Sequence, residues 1–388
     1  MISKNIKFKY FSQGFKNGLK VKASNFKKVK WFTKYPLLLS LTSKYKNSYD
    51  RSLVKKYKKS ENFRILGMGG SILGTEAIYQ FLKHKIKKNF YFINNLKPQI
   101  DYKVKAINII VSKSGETLET ISNLNVLLKK NRTRYKNIFI TENKQSYLKK
   151  IAEKMQDEII EHKNYIGGRF SVLSEVGMLP AELMGLNVNK FKQINKLIKN
   201  KKFINNLILN VQQTLRLVRQ GKSNSIILNY DENSENLFKW YQQLVAESLG
   251  KKSKGIIPIV SSMPKDNHSL LQLYLDGPKK NFYTFFNVKE RKSDFINNKD
   301  ILKDKNYLKN QSLFEILECQ RKATQKVFTR KKIPFRVFEV NNRSEESLGE
   351  LFCFFILETI LLGKALGVNT FDQPSVELIK KETKKFLI

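Results

Sequence analysis

Short, largely apolar runs at residues 64–66, 90–93, 107–111 and 138–140 alternate with stretches of helical apolar spacing at 73–83, 118–130 and 147–156. Runs this short, bounded by Gly, Ser and Asn, read as strands buried on both faces, the pattern of a parallel sheet. A strand covered on both sides needs a helix above and a helix below, so strict strand–helix succession predicts a doubly wound α/β domain. The pattern restarts near Ser225. Strands are predicted at 225–228, 255–260, 282–286 and 335–340, and helices at 236–249, 268–275, 312–327 and 345–366. Residues 186–221 are mostly helical and connect the two blocks. A break at 369–372 precedes a last helix over 374–386. The expected organisation is α/β, with two doubly wound parallel-sheet domains in tandem at 61–205 and 215–370. A basic segment, 1–60, is expected to pack on the surface, and 371–388 to form a C-terminal helix.

With 388 residues and 41% of them hydrophobic, the chain has material for two cores. Its 73 Lys+Arg stand against 33 Asp+Glu, a net charge of +40. A nucleic-acid surface concentrates such charge on one face and interleaves aromatics or arginines. Here the lysines run from Lys4 to Lys385 without clustering, so no specific nucleic-acid partner is expected, although a diffusely positive surface attracts a small phosphorylated molecule. Two cysteines, Cys319 and Cys353, make no disulfide framework and point to a reducing compartment. The N-terminus lacks the apolar core of a secretory signal. The most apolar stretch, 351–363, is shorter than the ~20 residues a membrane span needs and contains Glu358. A cytoplasmic protein with no membrane association is expected.

Chemistry is expected at the strand-to-helix junctions. Gly67-Met68-Gly69-Gly70-Ser71 follows one strand and opens a helix, where glycines allow close backbone approach and free N–H groups favour an anion. A structural turn, a dinucleotide loop and a phosphate or sugar loop all remain open there. The dinucleotide reading lacks the third glycine, replaced by Ile72, and lacks an acidic residue at the next strand end, which reads Ile93-Asn94-Asn95. Ser112, Ser114, Thr117 and Thr120 crowd hydroxyls onto a second such junction, more than the single group that N-capping needs. Gly167-Gly168-Arg169 either holds a guanidinium near a ligand or is a turn with a surface arginine. Gln243 and Glu247 are spaced i, i+4 and share a helix face, with Trp240 and Leu244 on the core face; a solvated glutamate is the plainer alternative. Of three histidines, His84 and His162 lie in Lys/Glu-rich, exposed-looking stretches, which leaves His268 as the candidate acid–base group. No histidine pair has metal-ligand spacing and neither cysteine has a partner nearby, so a metal-dependent mechanism is not expected.

In colinear order, GMGGSILG (67–74), SKSGETLET (112–120), GGRFSVLS (167–174), QQLVAESLGK (242–251), DNHSLLQL (266–273) and FDQPSVELIK (371–380) resemble the glucose-6-phosphate isomerase family, short bacterial type, over three quarters of the chain. The resemblance implies two sugar-isomerase (SIS-type) domains in tandem, a C-terminal helix contributing to the site, and a homodimer whose subunits share the active site. It implies interconversion of glucose 6-phosphate and fructose 6-phosphate through an enediolate, without cofactor. Glu247 falls on the family's proton-shuttling base and Arg169 on the arginine that stabilises the enediolate. His268 and Lys380 fall on the groups that assist ring opening, the histidine reaching in from the partner subunit. Gly70, Ser71, Ser112, Lys113, Ser114, Thr117 and Thr120 fall on phosphate-binding positions, and Gln243 and Gln373 on substrate contacts. A sugar-phosphate sensor without turnover, or an isomerase that also accepts mannose 6-phosphate, would share much of this pattern.

Three departures stand out. Glu116 occupies a normally neutral position in the phosphate loop, where its carboxylate repels phosphate unless it points away or pairs with Lys113. Met263-Pro264-Lys265 replaces a glycine-containing stretch before His268. Thr370 replaces a proline before Phe371-Asp372.

Overall fold

The computed structural model describes residues 2–9, 11, 34–96, 104–130, 136–289, 293–297 and 305–387. Its strands in chain order are β1 (Ile6–Lys9), β2 (Asn62–Leu66), β3 (Asn89–Ile93), β4 (Ile107–Val111), β5 (Asn137–Thr141), β6 (Glu158–Glu161), β7 (Asn224–Asn229), β8 (Ile257–Ser262), β9 (Asn281–Val288) and β10 (Phe335–Val340). They form two sheets, ordered β3-β2-β4-β5-β6 and β1-β10-β9-β7-β8, parallel throughout except for the edge strand β1. The doubly wound expectation holds for both blocks. Every residue of β5 is buried, as are all but the first of β2 and β4, which is why these strands are largely apolar.

Two strands went unanticipated, and both are edges. β6 (Glu-Ile-Ile-Glu) is short and only Ile160 is buried, so it lacks the run that marks a central strand. β1 alternates buried Ile6 and Phe8 with exposed Lys7 and Lys9, pairing antiparallel with β10. This part of the basic N-terminal segment therefore completes the second sheet instead of resting on the surface. Outward lysines on an edge strand discourage pairing with another chain.

Polar residues inside the strands are matched. Arg64 on β2 donates to Asn108 Oδ1 (2.8 Å) on β4 and to the Val104 carbonyl (3.0 Å), and Asn108 donates to Asn137 on β5 (2.8 Å). In the second sheet, Arg336 on β10 pairs with Glu358, whose helix, Glu345–Leu366, is buried almost end to end. A lone buried charge is prohibitive, and the guanidinium is what lets Glu358 sit in this apolar helix. Asn210 donates to the same carboxylate (2.5 Å), tying the connecting helix Lys201–Arg219 onto the second sheet's cover. Gly349 lets that cover approach the short helix Val188–Phe191, since a Cβ there would lie 2.2 Å from the Phe191 carbonyl oxygen.

The helices Leu73–Phe81 and Glu235–Leu249, one from each block, pack against each other and join the blocks into one continuous core. The first sheet reverses its winding between β2 and β4 and the second between β7 and β9. In such sheets ligands bind outside the carboxyl ends of the strands, at the reversal.

Candidate active site

The helix Glu235–Leu249 buries Trp240 and Leu244 against the core, which turns Gln243 and Glu247 the other way. Gln243 Nε2 donates to Glu247 Oε1 at 2.8 Å, as their spacing predicts. The other carboxylate oxygen, Oε2, accepts from Arg169 Nη1 at 3.1 Å and from the Gln373 amide. Glu247, Arg169, Gln243 and Gln373, drawn from three distant segments, thus meet around one carboxylate.

Arg169 is 3% exposed and held on every side. Its Nε donates to Ser248 Oγ (2.9 Å) and its Nη2 to the carbonyls of Thr370 (2.6 Å) and Asp372 (3.2 Å). Burial pushes its pKa down while Glu247 and Asp372 pull it back, and a guanidinium stays charged through such opposing effects. The turn that carries it, Gly168–Leu173, lies on the first glycine loop: a Cβ on Gly70 would fall 2.2 Å from the Gly168 carbonyl carbon, so only glycine fits. The segment after residue 368 is anchored by Lys251, whose ammonium lies 3.1 Å from Asp372 Oδ1 and lowers that carboxyl's pKa. Phe371 packs on Phe170 and Tyr35 at 5.7 and 5.6 Å. The contribution of Thr370 is its carbonyl, which any residue supplies, proline included.

The two hydroxyl-bearing loops sit at the β2/β4 reversal. A Cβ on Gly67 would lie 3.2 Å from the Val111 carbonyl oxygen, and one on Gly69 (φ +52°) would lie 2.7 Å from Gln243 Nε2. The glycine loop therefore bridges the second loop and the Glu247 helix. Ser71 is half-buried at its tip. Ser112 Oγ and Thr117 Oγ1 are 2.8 Å apart, Ser114 Oγ accepts the Glu116 N–H (3.1 Å), and the buried Thr120 hydroxyl has no hydrogen-bond partner.

Glu116 points away from this crevice. Its Oε1 accepts the Tyr147 N–H at 2.7 Å and caps the helix Tyr147–Met155. Leu148 N–H donates to the Gly115 carbonyl (3.1 Å), so the loop is fastened to that helix start at two adjacent residues. Lys113 does not pair with Glu116; it reaches the Asn164 carbonyl (2.8 Å) and Glu142 (3.5 Å).

His268 and Lys380 are both exposed, on elements other than the Glu247 helix: His268 in the turn Lys265–His268 beyond β8, and Lys380 on the C-terminal helix Val376–Phe386. His162, expected to be exposed, is instead buried, because its alternation with Glu161 and Lys163 points it inward. Burial pushes its pKa down, against the opposing pull of Glu175. Sequence reasoning also missed Ser248 and the carbonyls that hold Arg169; a backbone acceptor has no residue signature. Among the described residues no cluster of His, Cys, Asp and Glu is placed to hold a metal, and no helix is long and apolar enough to cross a membrane.

Known proteins resemble the chain over most of its length. Residues 54–387 match the family model of phosphoglucose isomerase. A glucose-6-phosphate isomerase of Methanocaldococcus jannaschii is 34% identical, with 86% of each chain covered. Among solved structures, a hypothetical protein of Thermus thermophilus superposes with a TM-score of 0.81 at 25% identity, covering 94% of this chain and 92% of its own. A glucose-6-phosphate isomerase of Chlamydia trachomatis shares the fold with a TM-score of 0.72 at 18% identity, covering 96% of this chain and 76% of its own. With six motifs in order, both sheets wound alike and the match spanning nearly the whole chain, the chain belongs to the phosphoglucose isomerase family.

Proposed function

We propose that the chain interconverts glucose 6-phosphate and fructose 6-phosphate, with Glu247 carrying a proton between C2 and C1 of the open-chain sugar. The observation that carries this reading is the grip of Arg169 on Glu247. When the carboxylate takes a proton from carbon, its negative charge passes to the substrate oxygen. A guanidinium fixed by Ser248, Thr370 and Asp372 cannot swing with the charge, so it serves base and enediolate without reorganisation. Glu247 retains 27% side-chain exposure, which leaves it reachable by substrate.

The phosphate sits over the β2/β4 crevice. There Ser71, Ser112, Ser114, Thr117 and the unpartnered Thr120 supply hydroxyls, Gly70 gives close backbone access, and Lys113 adds positive charge nearby. Binding energy from this remote group then holds C1 and C2 over Glu247. Gln243 and Gln373 orient the carboxylate and contact the sugar hydroxyls. His268 and Lys380 assist ring opening. The exposed place of His268, in the turn beyond β8, suits a residue that completes the site of a second copy in a cytoplasmic homodimer. The chemistry needs no cofactor, because each step moves a proton between groups already present.

A coupled assay with fructose 6-phosphate tests this. Activity is expected without added metal and in the presence of a chelator, and Glu247→Gln should lose at least ~10²-fold in kcat with little change in melting temperature. A Glu247→Gln enzyme within a few-fold of wild type would refute the assignment.

A further inference from the structure

The substrate crevice uses only the first of the two sheet reversals. The second lies between β7 and β9, and a cavity of about 660 Å³ opens there. That volume is inside the range of roughly 300–1,000 Å³ that small-molecule sites occupy. Its walls begin where the strands end: Tyr230 and Asp231 follow β7, Lys289 follows β9, and Arg343 lies beyond β10. Both blocks line it, with Phe81 from the first and Phe314 and Leu317 from the helix Leu313–Arg330 of the second.

The lining is chemically divided. The one buried carboxylate, Asp231, is matched by Arg343, which grips both its oxygens and lies 5.3 Å over the Phe81 ring. Asp231 therefore does not repel an incoming anion. At the mouth stand Lys83, His84 and Lys289, against the exposed Glu232. Lys289 and Lys7 lie 3.6 and 3.7 Å from Glu339, which Arg321 also reaches at 3.5 Å while pairing more closely with Glu318 at 2.6 Å, so two carboxylates serve three cations and the rim keeps a positive excess. Phe314 and Leu317 are half-buried and give an apolar wall beside this rim. We propose that this cavity is a second ligand site, separate from the substrate crevice, for a small organic anion: a phosphate or carboxylate carried on an apolar body.

Phenyl phosphate combines the two features, and inorganic phosphate and phenol separate them. Calorimetric titration of the full chain is run with and without saturating glucose 6-phosphate. Phenyl phosphate binding is expected to persist with the sugar phosphate present and to exceed that of inorganic phosphate or phenol. It should weaken at least about tenfold in Lys289→Glu, which reverses a rim charge, and in Leu317→Trp, which fills the apolar wall. Melting temperatures control for folding, and Lys83→Glu, at the exposed rim, replaces either variant should it fail to fold. Complete displacement by glucose 6-phosphate, equal affinity for phenol, or unchanged affinity in the variants would each overturn the proposal.

Discussion

Lys192 offers a test of how the Arg169 turn is supported. Its side chain is almost wholly enclosed, donating to the carbonyls of Ser40 (2.5 Å) and Leu173, the last residue of that turn, and lying 5.2 Å over the Tyr45 ring. Burial pushes the ammonium's pKa down to about 7, with Glu175 and Cys353 pulling it upward. The unfolded chain restores a lysine near 10.4. Between these values the unfolded state binds more protons than the folded one, so stability rises with pH across that window and is flat below it. Integrating the linkage from pH 6.5 to pH 8.5 gives a gain of about 2 kcal/mol from this one group. Other groups titrate in the same range; the lowered pKa of His162 adds a gain at the acid end, and the raised pKa of Cys353 removes stability at the alkaline end. The comparison that isolates Lys192 is therefore with Lys192→Met, which keeps the stem and removes the charge. Urea unfolding at both pH values should give a wild-type gain about 2 kcal/mol larger than that of the variant. Equal slopes would show that the two carbonyls and the ring hold the ammonium charged throughout, and the reasoning from burial would fail.

Two further outcomes follow from the site. Glu116→Ala should raise the KM for fructose 6-phosphate about 3- to 10-fold at unchanged kcat by releasing the loop from Tyr147, whereas Glu116→Gln, which keeps the acceptor, should stay close to wild type; a lower KM in both variants would mean that the carboxylate faces the phosphate. Glu247→Gln and His268→Ala, each inactive alone, should recover about a quarter of wild-type activity when their subunits are exchanged, since random pairing leaves that share of shared sites intact; no recovery, with exchange shown by differential labelling, would place both groups in one chain's site.

The sequence announced most of this through burial. Central strands are covered on both faces, so 107–111 and 335–340 stood out as largely apolar runs, and the helix at 345–366 was visible for the same reason. The edge strand β1 exposes half its residues and β6 buries only Ile160, so neither leaves such a run. Charged residues were read less well, because their meaning depends on partners far off in the chain. Glu358 looked like an interruption and is half of a buried pair, while His162 looked solvated and is buried. Within the site, the Gln243–Glu247 contact was legible because it is local, one turn of helix apart. That Arg169 would close on Glu247 from 78 positions away, and that Gln373 would join them, followed only from the family pattern.

The nonlocal part was written in the glycines, whose reason shows only in three dimensions. Gly70 reads as a loop residue, yet its lack of a side chain is what allows the first loop to lie on Gly168 and so fixes where Arg169 begins. Gly69 does the same against Gln243, and Gly363 against Thr370, where a Cβ would fall 2.0 Å from a side-chain carbon. Phosphate loop, guanidinium turn, base helix and C-terminal segment are thus set against one another by close contacts at glycines, backbone on backbone at Gly70 and against side chains at Gly69 and Gly363. Catalysis by a fixed cation requires that rigidity, since a guanidinium free to move would follow the carboxylate's charge and lower the ground state as much as the transition state.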